Sequence, residues 1–386
     1  MSSQDVANHY NAIPNKTTED RRSSKIIHLR NYNNWMKSML IARFIKRLNK
    51  KGIERPSVLD LCCGKGGDLS KWKVSNIKEI VMTDVAAVSV EHAKDRYKET
   101  IDRMRNERRD PFNAQFVVAD AGKECLADKY EPKERLFDLA SCMFALHYQF
   151  ADEKRARKMI ENITERLRPG GYFIGILTDP DQIINLVRNK GADNKYKNEV
   201  CSVTFENFDV HKEESKIPLF GAKLYFALDE VVNCPEYFAK FALLKQMMKE
   251  NGMELVYTKP LNEGYKDFIK KGEHFRLFKR MNALEAFGRK EMSDSDGHRK
   301  EYSKAYSYLN EHPEQEFVGT LSRSEWEVIS MYRVFAFKKT DPNEKRETRT
   351  PEPEISEDEE PPARDRKRRN QDEDDEYYKQ RRQKAH

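Results

Sequence analysis

The sequence predicts an α/β fold with a doubly wound, mostly parallel sheet, and three observations carry that prediction. Apolar runs of strand length (Val58 to Cys62, Ile80 to Thr83, Ala114 to Asp120, Phe137 to Leu146 and Tyr172 to Leu177) alternate with segments of helical periodicity. The first run opens straight into Gly64, Gly66 and Gly67. The second ends in Asp84, 20 positions beyond Gly64. Runs that are apolar throughout, rather than alternating, suit parallel strands buried on both faces.

The glycines let the backbone turn sharply after the first strand and let a ligand approach main-chain N–H groups. An acid at the end of the second strand of such a unit can accept hydrogen bonds from both ribose hydroxyls of a nucleoside. Two cofactors fit this frame. A dinucleotide brings a pyrophosphate and needs a helix N-terminus free of negative charge. Here Asp68 stands where that helix would begin, and Asp60 lies within the preceding strand. Carboxylates so placed would repel a pyrophosphate and favour a cationic amino-acid end. S-adenosylmethionine, with its ammonium, sulfonium and ribose diol, is therefore preferred to NAD. The competing structural reading makes Gly-Lys-Gly-Gly a turn and Asp68 an N-cap.

Taken in order, residues 1–24 are polar and aperiodic, with His9, Tyr10 and Asn11 as their aromatic-bearing cluster, and read as a flexible leader. From Lys25 a helical repeat is carried by Ile26, Ile27, Leu29, Leu40, Ile41, Phe44, Ile45 and Leu48. Inside it, Asn33 and Asn34 are poor helix formers beside Trp35 and Lys37. That stretch reads either as a polar recognition surface or as a loop between two short helices with Trp35 in the core. Ser89 caps a helix from Val90 to about Arg105. Asp120, closing the third strand, is placed to reach an adenine amino group. The fourth strand runs into His147, Tyr148, Gln149 and Phe150, and Asp152 starts a helix through Leu167 that Pro169-Gly170-Gly171 ends.

Beyond the fifth strand the alternation loosens. A helix spans Asp181 to Lys190, and Val200 to Phe208 with Lys223 to Leu228 form an antiparallel pair, an inserted flap. Pro235, Glu236 and Tyr237 open a helix running to about Glu250. Glu254 to Thr258 is a strand, Tyr265 to about Asn310 a charged helical stretch, and Met331 to Lys338 the last, antiparallel, strand.

With 386 residues, 38% apolar and 35% charged, the composition suits a folded core plus a disordered part. Residues 341–386 carry 15 acidic and 12 basic side chains, which leaves the rest of the chain 59 basic and 50 acidic, a net +9 that suits a polyanionic partner. In that tail Ile355 is the one aliphatic side chain larger than alanine, so it is expected to be disordered. Arg364 to Arg369 makes a nuclear import patch or a solvated charge run, and Ser356 sits in an acidic context suited to phosphorylation. Six cysteines without a Cys-x-x-Cys pair read as reduced intracellular thiols and argue against zinc. No signal peptide or membrane-length apolar run is evident.

Specific motifs then stand in order: Asn31-Tyr32-Asn33-Asn34-Trp35-Met36-Lys37-Ser38, Val58-Leu59-Asp60-Leu61 with Gly64-Lys65-Gly66-Gly67-Asp68, and His147-Tyr148. Arg168-Pro169-Gly170-Gly171-Tyr172-Phe173-Ile174-Gly175, Pro218-Leu219-Phe220-Gly221, and Gly319-Thr320-Leu321-Ser322 with Ser324-Glu325-Trp326-Glu327 follow. Over about Lys25 to Lys339 the chain resembles the cellular mRNA cap guanine-N7 methyltransferases. The resemblance implies a Rossmann-like class I S-adenosylmethionine-dependent methyltransferase fold over residues 25–340, and methyl transfer to N7 of the guanosine cap of nascent mRNA in the nucleus. It implies a cofactor site of Lys37, Cys62, Asp84, Asp120, Met143 and Tyr148, and a cap site of Asn33, Asn34, Lys65, Lys71, Arg96, His147, Glu236 and Tyr332. Partners would be 5′ capped nascent RNA, with transcription or capping machinery and an activating subunit as further candidates, and no membrane.

Two positions depart from the family pattern. Cys62 replaces the first loop glycine, and Met143 stands where animal members often carry glutamine. Guanine N7 is a lone pair without a proton, so no general base and no metal are expected. Catalysis would rest on in-line alignment, with Glu236 assisting as positive charge reaches the guanine. The rivals are a methyltransferase acting on another RNA or a small molecule, and a non-catalytic RNA-binding scaffold.

Overall fold

The computed structural model describes residues 3–12, 23–212, 217–292 and 295–341. The expectations for the tail from residue 342 on, with Ser356 and the import patch, lie outside them. Five parallel strands come first: β1 (Ser57–Leu61), β2 (Glu79–Asp84), β3 (Asn113–Val118), β4 (Phe137–Met143) and β5 (Leu167–Thr178). A four-stranded antiparallel sheet follows, built from β6 (Lys195–Lys197), β7 (Cys201–Phe205), β8 (Lys223–Leu228) and β9 (Val232–Tyr237). Strands β10 (Met253–Pro260) and β13 (Tyr332–Lys339) complete the main sheet, and β11 (Glu285–Gly288) pairs antiparallel with β12 (Phe317–Thr320) in a separate two-stranded sheet.

The main sheet has the order β10-β13-β5-β4-β1-β2-β3, with β13 antiparallel to both neighbours. The chain steps from β1 outward to β2 and β3, then returns to place β4 on the other side of β1. That reversal opens a crevice at the carboxyl ends of β1 and β4, which is where ligands bind in such sheets.

Twelve helices lie among the described residues: α1 (Ser3–Ala12), α2 (Ile27–Lys50), α3 (Leu69–Val74), α4 (Ala87–Asn106), α5 (Glu153–Thr164), α6 (Pro180–Lys190), α7 (Phe241–Glu250), α8 (Leu261–Ile269), α9 (Gly272–Arg280), α10 (Asp296–Glu301), α11 (Ser303–Glu311) and α12 (Arg323–Ser330). The two faces of the sheet have separate cores. Val58, Ile80 and Met82 join α2 on one face, while Leu59, Leu61 and Val81 join Ala156, Met159 and Ile160 of α5 on the other. Alternate residues of β1 thus serve opposite layers, which is why the strand is buried throughout.

Several expectations are corrected. The leader is partly helical, with Ala7 of α1 buried and Val6 packed on the core. Stretch α2 is one unbroken helix through both asparagines, and Trp35 is core. Helix α4 starts at Ala87 without a side-chain cap, so Ser89 is not its cap. Helix α5 ends at Thr164, and Arg168-Pro169-Gly170-Gly171 belongs to β5, where the pairing with β4 shifts register. Gly171 lies so close to that strand that a Cβ would sit 2.9 Å from the carbonyl of Asp138.

Pro235-Glu236-Tyr237 is strand β9, and its helix begins only at Phe241. Strand β9 is the edge of its sheet, where a proline without an N–H is tolerated. The charged stretch after Tyr265 is broken by β11.

Candidate active site

The glycine loop is held by Asp84. Gly64 N donates to Asp84 Oδ2 at 2.8 Å, Ala86 N donates to Oδ1 at 2.9 Å, and Cys63 N donates to the carbonyl of Thr83 at 2.9 Å. One carboxylate therefore ties the end of β1 to the end of β2, and its burial pushes its pKa up. The turn needs unusual backbone: φ is 55° at Cys62, 52° at Gly64 and 71° at Gly66. At Gly66 a Cβ would also lie 3.1 Å from Cα of Ala93, so glycine lets α4 close on the loop. At Gly64 and Gly67 nothing approaches within 4 Å of a Cβ position, which leaves room over the loop for a nucleoside. Residues and space together fit S-adenosylmethionine.

Two acids flank this loop in different states. Asp60, inside β1, accepts from Ser141 Oγ at 2.6 Å and from Trp72 Nε1 at 3.4 Å. Burial, and then the charge of Asp68, push its pKa up to about 7. Asp68 occupies the N-cap position of α3 but makes no cap hydrogen bond. Its Oδ1 meets Lys37 Nζ at 2.6 Å and Lys71 Nζ at 2.8 Å. Burial works to raise its pKa, but the two ammoniums outweigh that and bring it down to about 2.

Lys71 is itself buried, and donates to Asn34 Oδ1 at 3.1 Å and to the carbonyl of Gly67 at 3.3 Å. Burial, then the charge of Lys37, lower its pKa. Lys71 is thus not an open surface charge. It clasps α2 to the loop and joins Asn34 to Asp68. Asn33, next to Asn34 in the chain, has a buried Oδ1 with no hydrogen-bond partner among the described residues.

A second cluster forms where β9 approaches the 3-10 segment Leu146–Ala151 that follows β4. Tyr148 Oη donates to Glu236 Oε1 at 3.0 Å and lies 3.5 Å from Cys234 Sγ. His147 Nε2 is 3.3 Å from Glu236 Oε2, out of hydrogen-bond alignment. Glu236 Oε2 and both ring nitrogens of His147 are buried without hydrogen-bond partners among the described residues. Met143 ends β4, and Phe144 follows it with φ of 62°. The Phe144 ring meets Tyr332, the first residue of β13, edge-on at 5.1 Å. Contact with Cys142, then burial, push the Cys62 thiol well up, and both are free thiols.

Asp120 lies past the end of β3 and is held by Arg155. Lys65 is half-buried in the loop, and Arg96 is half-buried one turn beyond Ala93 on α4. Sequence reasoning missed Arg155, Ser141, Trp72 and Cys234; only the interior acid Asp60 signalled that partners had to exist. A polar cleft of about 380 Å³, lined by Lys190, Tyr196, Asn198, Arg323 and Glu327 among others, includes none of the predicted residues.

A family model described as the mRNA (guanine-N(7))-methyltransferase domain matches residues 1–340, so the segment read as a leader lies inside the match. The chain is 45% identical over 355 residues to the mRNA cap guanine-N(7) methyltransferase of Caenorhabditis briggsae, covering 91% of each protein. It is 36% identical over 338 residues to the protein of that name from Drosophila melanogaster, covering 86% of this chain and 76% of the other. Among solved structures, the CcbJ methyltransferase from Streptomyces caelestis matches 87% of this chain and 96% of its own at 11% identity and a TM-score of 0.43, a likeness too slight to carry argument.

Proposed function

This chain belongs to the mRNA (guanine-N(7))-methyltransferase family, and from that premise we propose which of its residues perform the family's reaction. The chain transfers a methyl group from S-adenosylmethionine to N7 of the guanosine cap of mRNA. Bound S-adenosylmethionine supplies an electrophilic methyl on a sulfonium. Asp84 accepts from the ribose hydroxyls, Asp120 reads the adenine, and Lys37 with Asp68 frames the amino-acid end. Cys62, Met143 and Tyr148 line the same pocket. On the cap side, Lys65 and Arg96 meet the triphosphate, Asn33, His147 and Tyr332 line the guanosine, and Lys71 acts through Asn34. The catalytic domain spans residues 1–340, an earlier start than residue 25 that the family match and the packing of Val6 and Ala7 on the core support. The basic run Arg364 to Arg369 directs import to the nucleus, and a reporter fused to residues 341–386 that stayed cytoplasmic would remove that assignment.

No residue needs to act as a general base, because N7 presents a lone pair and no proton. The chain's task is alignment of acceptor, methyl and sulfur, which in intramolecular analogues is equivalent to about 10⁵ M or more of effective concentration. Glu236 adds electrostatics. Its buried Oε2, without a hydrogen-bond partner among the described residues, is suited to accept from guanine N1–H or the exocyclic amine. That contact strengthens as positive charge arrives on the ring during transfer. This buried carboxylate beside His147 and Tyr148 is the observation that best supports the assignment.

Radiolabel transfer to GpppG-ended RNA, with tRNA as the control acceptor, tests it. Glu236→Gln is expected to lower kcat/KM at least tenfold. A loss below about threefold, ~0.6 kcal/mol, would remove Glu236 from the reaction, and label on tRNA alone would change the substrate.

A further inference from the structure

One half-buried cation near the site has no part in the reaction as described. Arg155, in the first turn of α5, has a side chain only 13% exposed. Its guanidinium donates from Nη1 to Asp120 Oδ2 at 3.1 Å and from Nη2 to Asp120 Oδ1 at 2.9 Å. Nη2 also donates to Gln149 Oε1 at 2.8 Å, and Gln149 is the residue next to Tyr148. The backbone is equally fixed, since Arg155 N donates to Asp152 Oδ1, the N-cap of α5, at 2.9 Å.

Gly122 makes space for this arrangement. A Cβ there would collide with Gln149 Oε1 and lie 2.9 Å from Arg155 Nη2, while Gly122 N donates to Asp120 Oδ1 at 3.1 Å. A guanidinium fork on a carboxylate fixes the plane of that carboxylate as well as its charge. Asp120 is only 9% exposed; Lys123 Nζ also lies 3.7 Å from its Oδ2, but a single ammonium at that distance cannot set the plane of the carboxylate.

We propose that Arg155, braced by Gln149, is the positioning residue that holds the Asp120 carboxylate in one plane toward the 6-amino group of adenine, and so sets the preference of this site for adenosyl donors. The inference rests on the assignment of Asp120 to adenine. A lysine could supply the charge but not the fork. The same guanidinium also ties the end of β3 to the segment that carries His147 and Tyr148, so the adenosine and cap sides share one anchor.

The test compares calorimetric affinities of the full chain for S-adenosylhomocysteine and S-inosylhomocysteine, whose 6-oxo group cannot donate. The native protein is expected to favour the adenosyl ligand at least tenfold, about 1.4 kcal/mol. In Arg155→Gln the ratio should fall below about threefold, and Arg155→Lys should be intermediate. A purely structural role would lower melting temperature and both affinities together and leave the ratio alone. If the native protein does not discriminate, the adenine assignment of Asp120 fails and this inference fails with it. If it discriminates and Arg155→Lys keeps the full ratio, only the role of Arg155 is overturned. Should Arg155→Gln not fold, Gly122→Ala, which pushes Gln149 and Arg155 from their places, is expected to lower the ratio in the same way.

Discussion

Asp60 and Asp68 stand eight residues apart and titrate in opposite senses. Asp60 has its folded pKa raised, by burial and then by Asp68, to about 7, against about 3.9 unfolded. The folded state therefore binds the extra proton, and the stability this gives is present at low pH and lost as pH rises from about 4 to 7. Asp68 is lowered to about 2 by its two lysines, so its contribution is present above about 3.9 and lost as pH falls toward 2. Denaturant midpoints from pH 5 to 8 should thus fall more steeply for the native chain than for Asp60→Asn, by on the order of 2 kcal/mol across the range. Parallel curves would mean that Asp60 is ionised throughout.

The same scale separates Lys71 from Arg96. Lys71→Met should raise both the cofactor Kd and the KM for capped RNA without changing the salt slope, because its ammonium lies on Asp68 and Asn34. Arg96→Ala should flatten the slope by about 0.7, the share of a single neutralised phosphate on single-stranded RNA. The place of Asp84 at the end of β2, beside the glycine loop, was legible from its distance to the glycines. The bracing by Lys71 and the fork of Arg155 were not, since each depends on a partner more than thirty residues away.

Secondary elements were legible where one kind of signal dominated. Strands β1 and β2 are buried almost along their full length and read as such. Helix α2 was ambiguous because two asparagines cost it roughly 1 kcal/mol of intrinsic propensity. Burial of Leu29, Tyr32, Trp35, Met36 and Leu40 is worth several times that, and packing decides. Strand β9 was misread because Pro-Glu-Tyr is also a helix start, and only its edge position makes the proline admissible.

Helix termini offer a prediction at this scale. Ser322 Oγ accepts from Glu325 N at 3.2 Å, and Glu325 Oε2 accepts from Ser322 N at 3.1 Å, a capping box on α12. Glu325 Oε1 also accepts from Leu29 N at 3.2 Å, in the first turn of α2. One carboxylate caps two helices that lie far apart in the chain. Ser322→Ala should cost about 1 kcal/mol in urea unfolding, and Glu325→Ala about 2–3 kcal/mol, since it also strands a buried N–H. Equal losses would mean that the contact with α2 contributes nothing.

At the scale of the whole molecule, the last strand enters between β5 and β10 rather than adding to an edge, so the main sheet closes only when the chain reaches Lys339. No signal in the sequence before Tyr332 foretells that insertion, because register between distant strands is set by tertiary packing. Asp179 and Arg333 secure it: Arg333 Nη2 lies 2.9 Å from the buried Asp179 Oδ2, across the end of β5 from Tyr332. The crevice at β1 and β4 belongs to the same unit of residues 1–341, so a ligand that fills it stabilises that unit as a whole. At a hundred times its Kd, S-adenosylmethionine would add about 2.7 kcal/mol. A unit of residues 1–341 loses roughly 0.7 kcal/mol per degree near its midpoint. Its melting temperature should thus rise by about 4 °C with ligand, and by less than about 1 °C in Asp84→Ala, whatever that variant's own midpoint. A full shift in Asp84→Ala would move the ribose away from the carboxylate that holds the glycine loop, and no shift in the native chain would put the donor outside the crevice altogether.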